Sequence, residues 1–382
     1  MISLRADRVL AGASEERDYW VSIEGTTIAE VGTRPPAGAE CVDLVGLELL
    51  PGFVDLHSDC LEELAHPRPS AELPLAATFF EYDALVVAHG ITTNFLCLNL
   101  DDDARKWRTM ERSIETEETL RRLRPELRAD HRIHLRVDVT ADALELMERL
   151  SSGASVALLS YMDHTPGGGQ YATEEEWRRY YGRNTSSEEL DLTLARKRAG
   201  QARAEATRSG VAAHARRIGA ALASHDDDSQ ASVDRALALG VNIAEFPVNL
   251  EAARAAVSAG QGTLMGAPNA LRGSSHVSNL SAREALQAGL LDALCSDYHP
   301  PSLPAAAYTL IRQGLCSWAE GIALISSGPA RIAQLHDRGR IEPGLRADLV
   351  AVDARGTHPV VRQAWVAGVP VLGLQTTQAL AV

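Results

Sequence analysis

The stretch Leu49-Leu50-Pro51-Gly52-Phe53-Val54-Asp55-Leu56-His57-Ser58-Asp59 decides how the rest of this chain is read. Its Pro-Gly corner feeds an apolar run too short for a helix, so residues 53 to 57 read as a buried strand ending at His57 and Asp59. Side chains two apart on a strand leave on the same side. An imidazole and a carboxylate offered together at a strand end are how a barrel mouth presents two ligands to one metal ion.

Outward from that strand, the middle of the chain alternates short apolar runs with helical stretches. Further strands are expected at 91–98, 132–138, 155–162, 220–225, 241–246, 262–266 and 291–296. Helices are expected between them, such as Ala141 to Leu150, Ser229 to Leu239, Glu251 to Ala259 and Ala282 to Ala288. Eight strands separated by helices predict an α/β chain with a (β/α)8 TIM-type barrel over residues 51–338. An open doubly wound sheet is the competing arrangement, but no Gly-rich phosphate fingerprint follows any strand. Both ends read differently. Ile2 to Val9, Trp20 to Ile23 and Thr27 to Val31 form a meander, and residues 341–374 repeat that style. Neither end buries a core alone, so residues 1–50 and 339–382 are expected to build one small β-sandwich domain.

Composition narrows the function. The net charge of −14 argues against nucleic acid as a partner, which requires a surplus of Lys and Arg. Five cysteines are odd in number, widely spaced and without a CxxC pair, which predicts reduced thiols and a cytoplasmic protein. No run approaches the ~18 apolar residues of a membrane span, so no membrane partner is expected. Only Lys106 and Lys197 are lysines, leaving 35 of the 37 basic residues as arginine (37 − 2). One connection is unusually long. From Asp163-His164-Thr165-Pro166-Gly167-Gly168-Gly169 it runs through a charged helical stretch to Arg217, and is expected to cover the mouth, make a subunit contact, or stay a solvated helix pair.

Catalytic groups of such a barrel sit at the strand C-termini. Those positions carry His57 and Asp59, Arg136 and Asp138, Asp163 and His164, His225-Asp226-Asp227-Asp228, Glu245, and Asp297. Several histidines and carboxylates converging on one mouth are what a one- or two-metal hydrolytic site requires. Asp226 to Asp228 read as a helix cap and solvated turn. His66, His89, His131, His134, His214, His336 and His358 read as structural or surface residues, and the Tyr180-Tyr181 pair as packing.

These segments, with Gly90-Ile91-Thr92-Thr93, Met265-Gly266-Ala267-Pro268-Asn269, Arg272-Gly273-Ser274-Ser275-His276, Ser296-Asp297-Tyr298 and Gly344-Leu345-Arg346-Ala347-Asp348-Leu349-Val350, resemble the amidohydrolase superfamily over nearly the whole chain. The resemblance is strongest to its phosphonate-metabolism branch of triphosphate diphosphatases. It implies one or two divalent metal ions, zinc foremost with Mn or Mg also suited, held by His57, Asp59, His225, Glu245 and Asp297. Asp59 stands where most members carry a second strand-one histidine. A carboxylated lysine on strand four is impossible here, since Lys106 and Lys197 fall in helical or loop stretches, so Asp138 or Asp163 is expected to bridge. The implied reaction is attack of water on the α-phosphorus of a small phosphorylated substrate, releasing diphosphate. Asp297 would take the proton of the water, and His164 would ligate metal, protonate the leaving group, or support a metal ligand from behind. Arg68, Arg136, Arg272, Ser274 and His276 would hold phosphates. A homo-oligomer, a dimer, is expected. The alternatives are a paralogue acting on a cyclic amide or amidine, and a non-catalytic subunit of a phosphonate-cleaving complex.

Overall fold

A computed structural model describes residues 1–68, 71–101, 109–153, 155–182, 185–273 and 279–373. Its centre is an eight-stranded sheet of β5 (Phe53–Ser58), β6 (Ile91–Leu100), β7 (Asp130–Asp138), β8 (Val156–Met162), β9 (Ala221–His225), β10 (Ile243–Glu245), β11 (Gly262–Gly266) and β12 (Ala293–Cys295). They pair in chain order, every neighbour parallel. The sheet closes on itself at one end only. Asp59 N donates to Asp297 O at 2.7 Å, and Asp297 N to His57 O at 2.9 Å, joining the tops of β5 and β12. Lower down, Val54 N donates to Ile325 O and Leu294 N to Leu324 O, so residues 324 and 325 take the place of direct strand pairing. The seam that closes the barrel is therefore made by His57, Asp59 and Asp297 themselves.

Every residue of β5 is buried, as the opening stretch requires. The Pro-Gly corner before it needs glycine, because a Cβ on Gly52 would lie 2.2 Å from Thr92 Oγ1. Val54, Leu56, Phe95, Leu158, Ala223, Ile243, Leu264 and Ala293 fill the barrel interior. Outward residues such as Leu96, Leu98, Leu135 and Leu159 join the layer beneath the helices. β10 and β12 are shorter than their apolar runs suggested. Phe246 (φ 54°), one residue past β10, and Asp297 (φ 56°), two past β12, adopt left-handed backbone and turn the chain off the barrel.

Both termini meet in a second, mixed sheet of seven strands. β1 (Ile2–Ala11), β2 (Ser14–Glu24), β3 (Thr27–Gly32), β4 (Glu40–Pro51), β13 (Leu349–Asp353), β14 (Val360–Val366) and β15 (Val369–Leu372) run in the order β15-β14-β13-β4-β1-β2-β3. The sequence reading missed β4, which joins the two ends: it pairs in parallel with β1 and antiparallel with β13. Leu4, Val21, Ile28, Leu44, Leu49, Leu349 and Trp365 share its core.

The long connection holds the helices Glu174–Tyr181, Ser187–Gly200 and Ala204–Ile218. The first two begin in capping boxes at Thr173 and Ser186. Tyr171, Trp177, Leu190 and Leu194 give them a small core, with Tyr180 and Tyr181 packed on it. Lys197 fastens the middle helix to the barrel: its Nζ donates to Asp138 Oδ2 at 2.7 Å and to Asp101 Oδ2 at 3.2 Å. Among the described residues, no helix is long and apolar enough to cross a membrane.

Candidate active site

Strand parity brings His57 and Asp59 to the barrel mouth together, and Glu245 from β10 meets them. His57 Nδ1 lies 2.7 Å from Glu245 Oε1, while His57 Nε2 lies 3.8 Å from Asp59 Oδ1. His225, at the end of β9, brings Nε2 to 3.8 Å from Glu245 Oε2. Asp226 follows it, with Oδ2 2.8 Å from His225 Nδ1 and 4.0 Å from His164 Nε2. Four groups emerge whose donor atoms lie within 4.8 Å of one another: His57 with Asp59 and Asp297, His57 with His225 and Glu245, His164 with His225 and Asp226, and His57 with Cys97 and His134. Shared members make them one continuous constellation.

Three residues in this region hold left-handed backbone without being glycine: Asp226 (φ 60°), Phe246 and Asp297. Each lies one or two residues past the end of β9, β10 or β12. Conformations of this kind cost about 1–3 kcal/mol and persist where function demands a particular aim of the side chain. Phe246 lays its ring edge against His57 and His225, with centroids 5.2 Å apart in both pairs. That ring removes water from one flank of the imidazoles.

Burial sets the electrostatics. It would raise the Glu245 carboxyl, but His57 and His134 hold it well below the ordinary carboxylate range. Burial also opposes the imidazolium of His57, yet the Cys97 and Glu245 side chains more than offset this and push its pKa well up. His134 goes the other way, driven down to about 3 chiefly by burial. Beneath them, burial lifts Asp55 to about 6 although its Oδ1 accepts from Ser296 N at 2.9 Å.

Several expectations need correcting. Asp226 and Asp227 are buried rather than forming a solvated turn, because the left-handed backbone at Asp226 folds its carboxylate back toward His225. His134, read as structural, stands in the constellation with Nδ1 3.9 Å from Glu245 Oε1 and Nε2 2.8 Å from Ser160 Oγ. Its spacing of two from Arg136 on β7 repeats the His57 to Asp59 pattern, which is the signal that was there to be read. Neither candidate bridge joins the four groups. Asp138 is taken by Lys197 and by Thr140 N at 2.9 Å. Asp163 accepts from Gln201 Nε2 at 3.1 Å and from Arg208 Nη2 at 3.1 Å.

The predicted phosphate-binding residues fall in different places. The side chain of Arg136 is only 4% exposed, with Nη1 3.4 Å from Asp59 Oδ2 and Nη2 donating to His225 Nε2 at 2.9 Å. Arg272 is exposed at the end of the helix Ala267–Arg272 and donates to Tyr298 Oη at 3.1 Å, next to Asp297. Arg68 is exposed in the loop after the helix Cys60–Ala65. Ser274 and His276, like Lys106, lie outside the described residues.

The donor set fits a divalent cation on an observation of its own. Among the described residues, Glu245 Oε2, His225 Nδ1 and Asp226 Oδ2 are buried and find no hydrogen-bonding partner; the last two lie 2.8 Å apart without forming a hydrogen bond. Donor atoms facing one another across such a gap are arranged for a shared cation rather than for each other.

A closed eight-stranded parallel barrel with imidazoles and carboxylates gathered at its C-terminal mouth defines a class of metal-dependent hydrolases. The amidohydrolase family model matches residues 84–372, and this chain belongs to that family. Among curated proteins it is 38% identical, over 352 residues, to the alpha-D-ribose 1-methylphosphonate 5-triphosphate diphosphatase of Escherichia coli (strain K12), covering 88% of this chain and 90% of that protein. Solved structures share the fold at low identity. A Xaa-Pro dipeptidase with bound methionine superposes with a TM-score of 0.68 at 14% identity, over 97% of this chain and all of that one. The N-acetyl-D-glucosamine-6-phosphate deacetylase of Mycobacterium smegmatis gives 0.65 at 17%, again over 97% and 100%. The dihydropyrimidinase of Brevibacillus agri NCHU1002 gives 0.63 at 14%, over 97% and 95%.

Proposed function

We propose that this chain is a metal-dependent diphosphatase that hydrolyses the α–β phosphoanhydride of alpha-D-ribose 1-methylphosphonate 5-triphosphate. The observation that carries the reading is the constellation of His57, Asp59, His225, Asp226, Glu245 and Asp297 at one barrel mouth. The 38% identical diphosphatase spans nearly the whole chain and supplies the substrate. In the reaction, water oxygen bonds to the α-phosphorus, the bond from that phosphorus to the α–β bridging oxygen breaks, and diphosphate leaves.

His57, Asp59, Glu245, His225 and Asp226 would hold one or two divalent ions, zinc foremost, with Glu245 placed between His57, His134 and His225. When bound, such ions supply Lewis acidity that makes water a nucleophile at neutral pH and draws charge from phosphoryl oxygens. Asp297, clamped by backbone bonds to His57 and Asp59, orients the attacking water and takes its proton. His164 stands beside His225 and Asp226, ring centroids 6.0 Å apart in the imidazole pair, and is placed to return a proton to the departing oxygen. Arg272 steadies the diphosphate at the rim, and Arg136 holds Asp59 and His225 in their aim. Domain limits at 50/51 and 338/339, a homodimer and a cytoplasmic location complete the reading, with light scattering as the check on the dimer.

The test is ³¹P NMR of the metal-reconstituted protein with the ribosyl triphosphate. Diphosphate should appear, and Asp297→Asn should lower kcat by about 10²–10⁴ with metal still bound. Unreacted triphosphate with metal bound would sink the assignment.

A further inference from the structure

Among the described residues, the two strands that close the barrel share a single bridge, Ser58 with Asp297, so backbone groups facing the gap below it need partners from elsewhere. β12 ends at Cys295, and the next amide, Ser296 N, donates to Asp55 Oδ1 at 2.9 Å. The same oxygen accepts from His57 N at 3.3 Å. On β5 that second amide belongs to an irregularity. Asp55 and Ser58 stand opposite Asn94 and Leu96 of β6, three residues along one strand against two along the other, which is a β-bulge with one extra residue. Val54 and Leu56 fill the barrel interior, so unbroken alternation would send His57 outward. The bulge resets the alternation and turns the imidazole inward, against His134, His225 and Phe246.

Asp55 is buried, and among the described residues its Oδ2 finds no hydrogen-bonding partner, so the side chain is tied through Oδ1 alone. One carboxylate oxygen has lone pairs for two donors. Here the donors stand on the two sides of the seam, one on a metal-holding residue of the proposed site and one next to its proton acceptor. Asp297 N donates to His57 O and Asp59 N to Asp297 O, so Asp55 Oδ1 completes a ring of bonds across the seam. Asp297 keeps left-handed backbone (φ 56°), a conformation that persists only where its surroundings over-determine it. The bond to Ser296 N fixes that turn from its N-terminal side. We propose that Asp55 is a positioning residue: by holding the amides of His57 and Ser296, its Oδ1 sets the aim of the His57 imidazole and the Asp297 carboxylate relative to each other. This rests on the hydrolase reading above. The donor atoms of His57, Asp59 and Asp297 lie within 4.8 Å of one another, and a misplacement of about 1 Å in such a group is enough to lose about 10² in rate.

The test compares metal-loaded wild type, Asp55→Leu, Asp55→Ala and Asp55→Asn by ³¹P turnover and by the visible absorption of the cobalt-substituted proteins, well below the melting temperature of each. Leucine and alanine offer no acceptor, whereas asparagine keeps one oxygen to stand for Oδ1. Asp55→Leu should lower kcat per bound metal about 10²-fold, with KM changed less than about threefold, and should shift the cobalt band. Asp55→Ala should do the same and carries the comparison alone should the leucine variant not fold. Asp55→Asn should recover kcat to within about fivefold of wild type and keep the wild-type band. A role in stability alone would lower the melting temperature of the leucine and alanine variants while leaving kcat per bound metal and the cobalt band unmoved. That result overturns the proposal, as does an asparagine variant as impaired as the leucine one. The cobalt band is read without turnover, so bands that separate the variants while no protein releases diphosphate strike the assigned reaction and not the clamp.

Discussion

Two buried networks of charge occupy opposite ends of one barrel, and they are finished to different degrees. At the base, Arg338 is 2% exposed and donates to Asp130 Oδ2 at 2.6 Å, Thr93 Oγ1 at 2.8 Å and both carboxylate oxygens of Asp337 at 2.9 Å. Asp348, beside it, accepts from Arg346 Nε at 2.9 Å and Ala367 N at 2.7 Å, tying the barrel to the terminal sheet. None of the buried side-chain polar atoms of Arg338, Asp130 or Asp348 lacks a partner. At the mouth, Glu245, His225, Asp226 and Asn99 each keep a buried polar atom unmet among the described residues. The same folding physics made both networks. The base is closed because its task is cohesion; the mouth is left open because its remaining bonds are meant for something from outside.

The largest expected effect comes from removing charge at the mouth. Glu245→Gln should lose bound metal and drop kcat/KM by about 10³–10⁴, or roughly 4–5.5 kcal/mol, read by elemental analysis and ³¹P turnover. Unfolding of the metal-free variant should shift less than for any change at the base. Arg338→Met is the counterpart. It takes the buried guanidinium from Asp130 and Asp348, which keep Arg132 and Arg346, and should cost about 2–3 kcal/mol of stability in urea unfolding, with metal content unchanged. A small stability loss there would break the comparison.

Acid should weaken the base in a defined window. Burial alone would raise Asp130, but Arg132 and Arg338 hold it down to about 2 from 3.8. A depressed carboxylate contributes stability that is present above pH 3.8 and lost as pH falls through about 2. The loss should approach about 2 kcal/mol in unfolding measurements across that range, and should shrink without disappearing in Arg338→Met, because Arg132 still faces Asp130. The smallest effect sharpens the mouth: Arg272→Ala should raise KM for the triphosphate about tenfold, or about 1.4 kcal/mol, while kcat changes less.

What was legible in the sequence follows from range. His57, Asp59 and Glu245 were readable because strand parity and strand ends are local signals, and the barrel followed from apolar runs in alternation. His134 obeyed the same parity rule but sits inside its strand rather than at the end, so attention fell on Arg136. Asp226 read as a cap because nothing local announces left-handed backbone at an aspartate. The role of Asp138 was hidden for a different reason. Its partner Lys197 lies 59 positions later, on a helix whose own pattern says only that it is charged. β4 escaped because its apolar residues alternate imperfectly around Gly46, and its two partners come from opposite ends of the chain.

The seam between β5 and β12 also sets a clock. Asp55 and Ser296, whose bond lies just beneath it, stand 241 positions apart. At about 5–20 residues per second on the ribosome, His57 and Asp59 exist for roughly 10–50 s before Asp297 is made. A half-made chain therefore exposes only part of the constellation, which is assembled when Asp297 closes against His57 and Asp59.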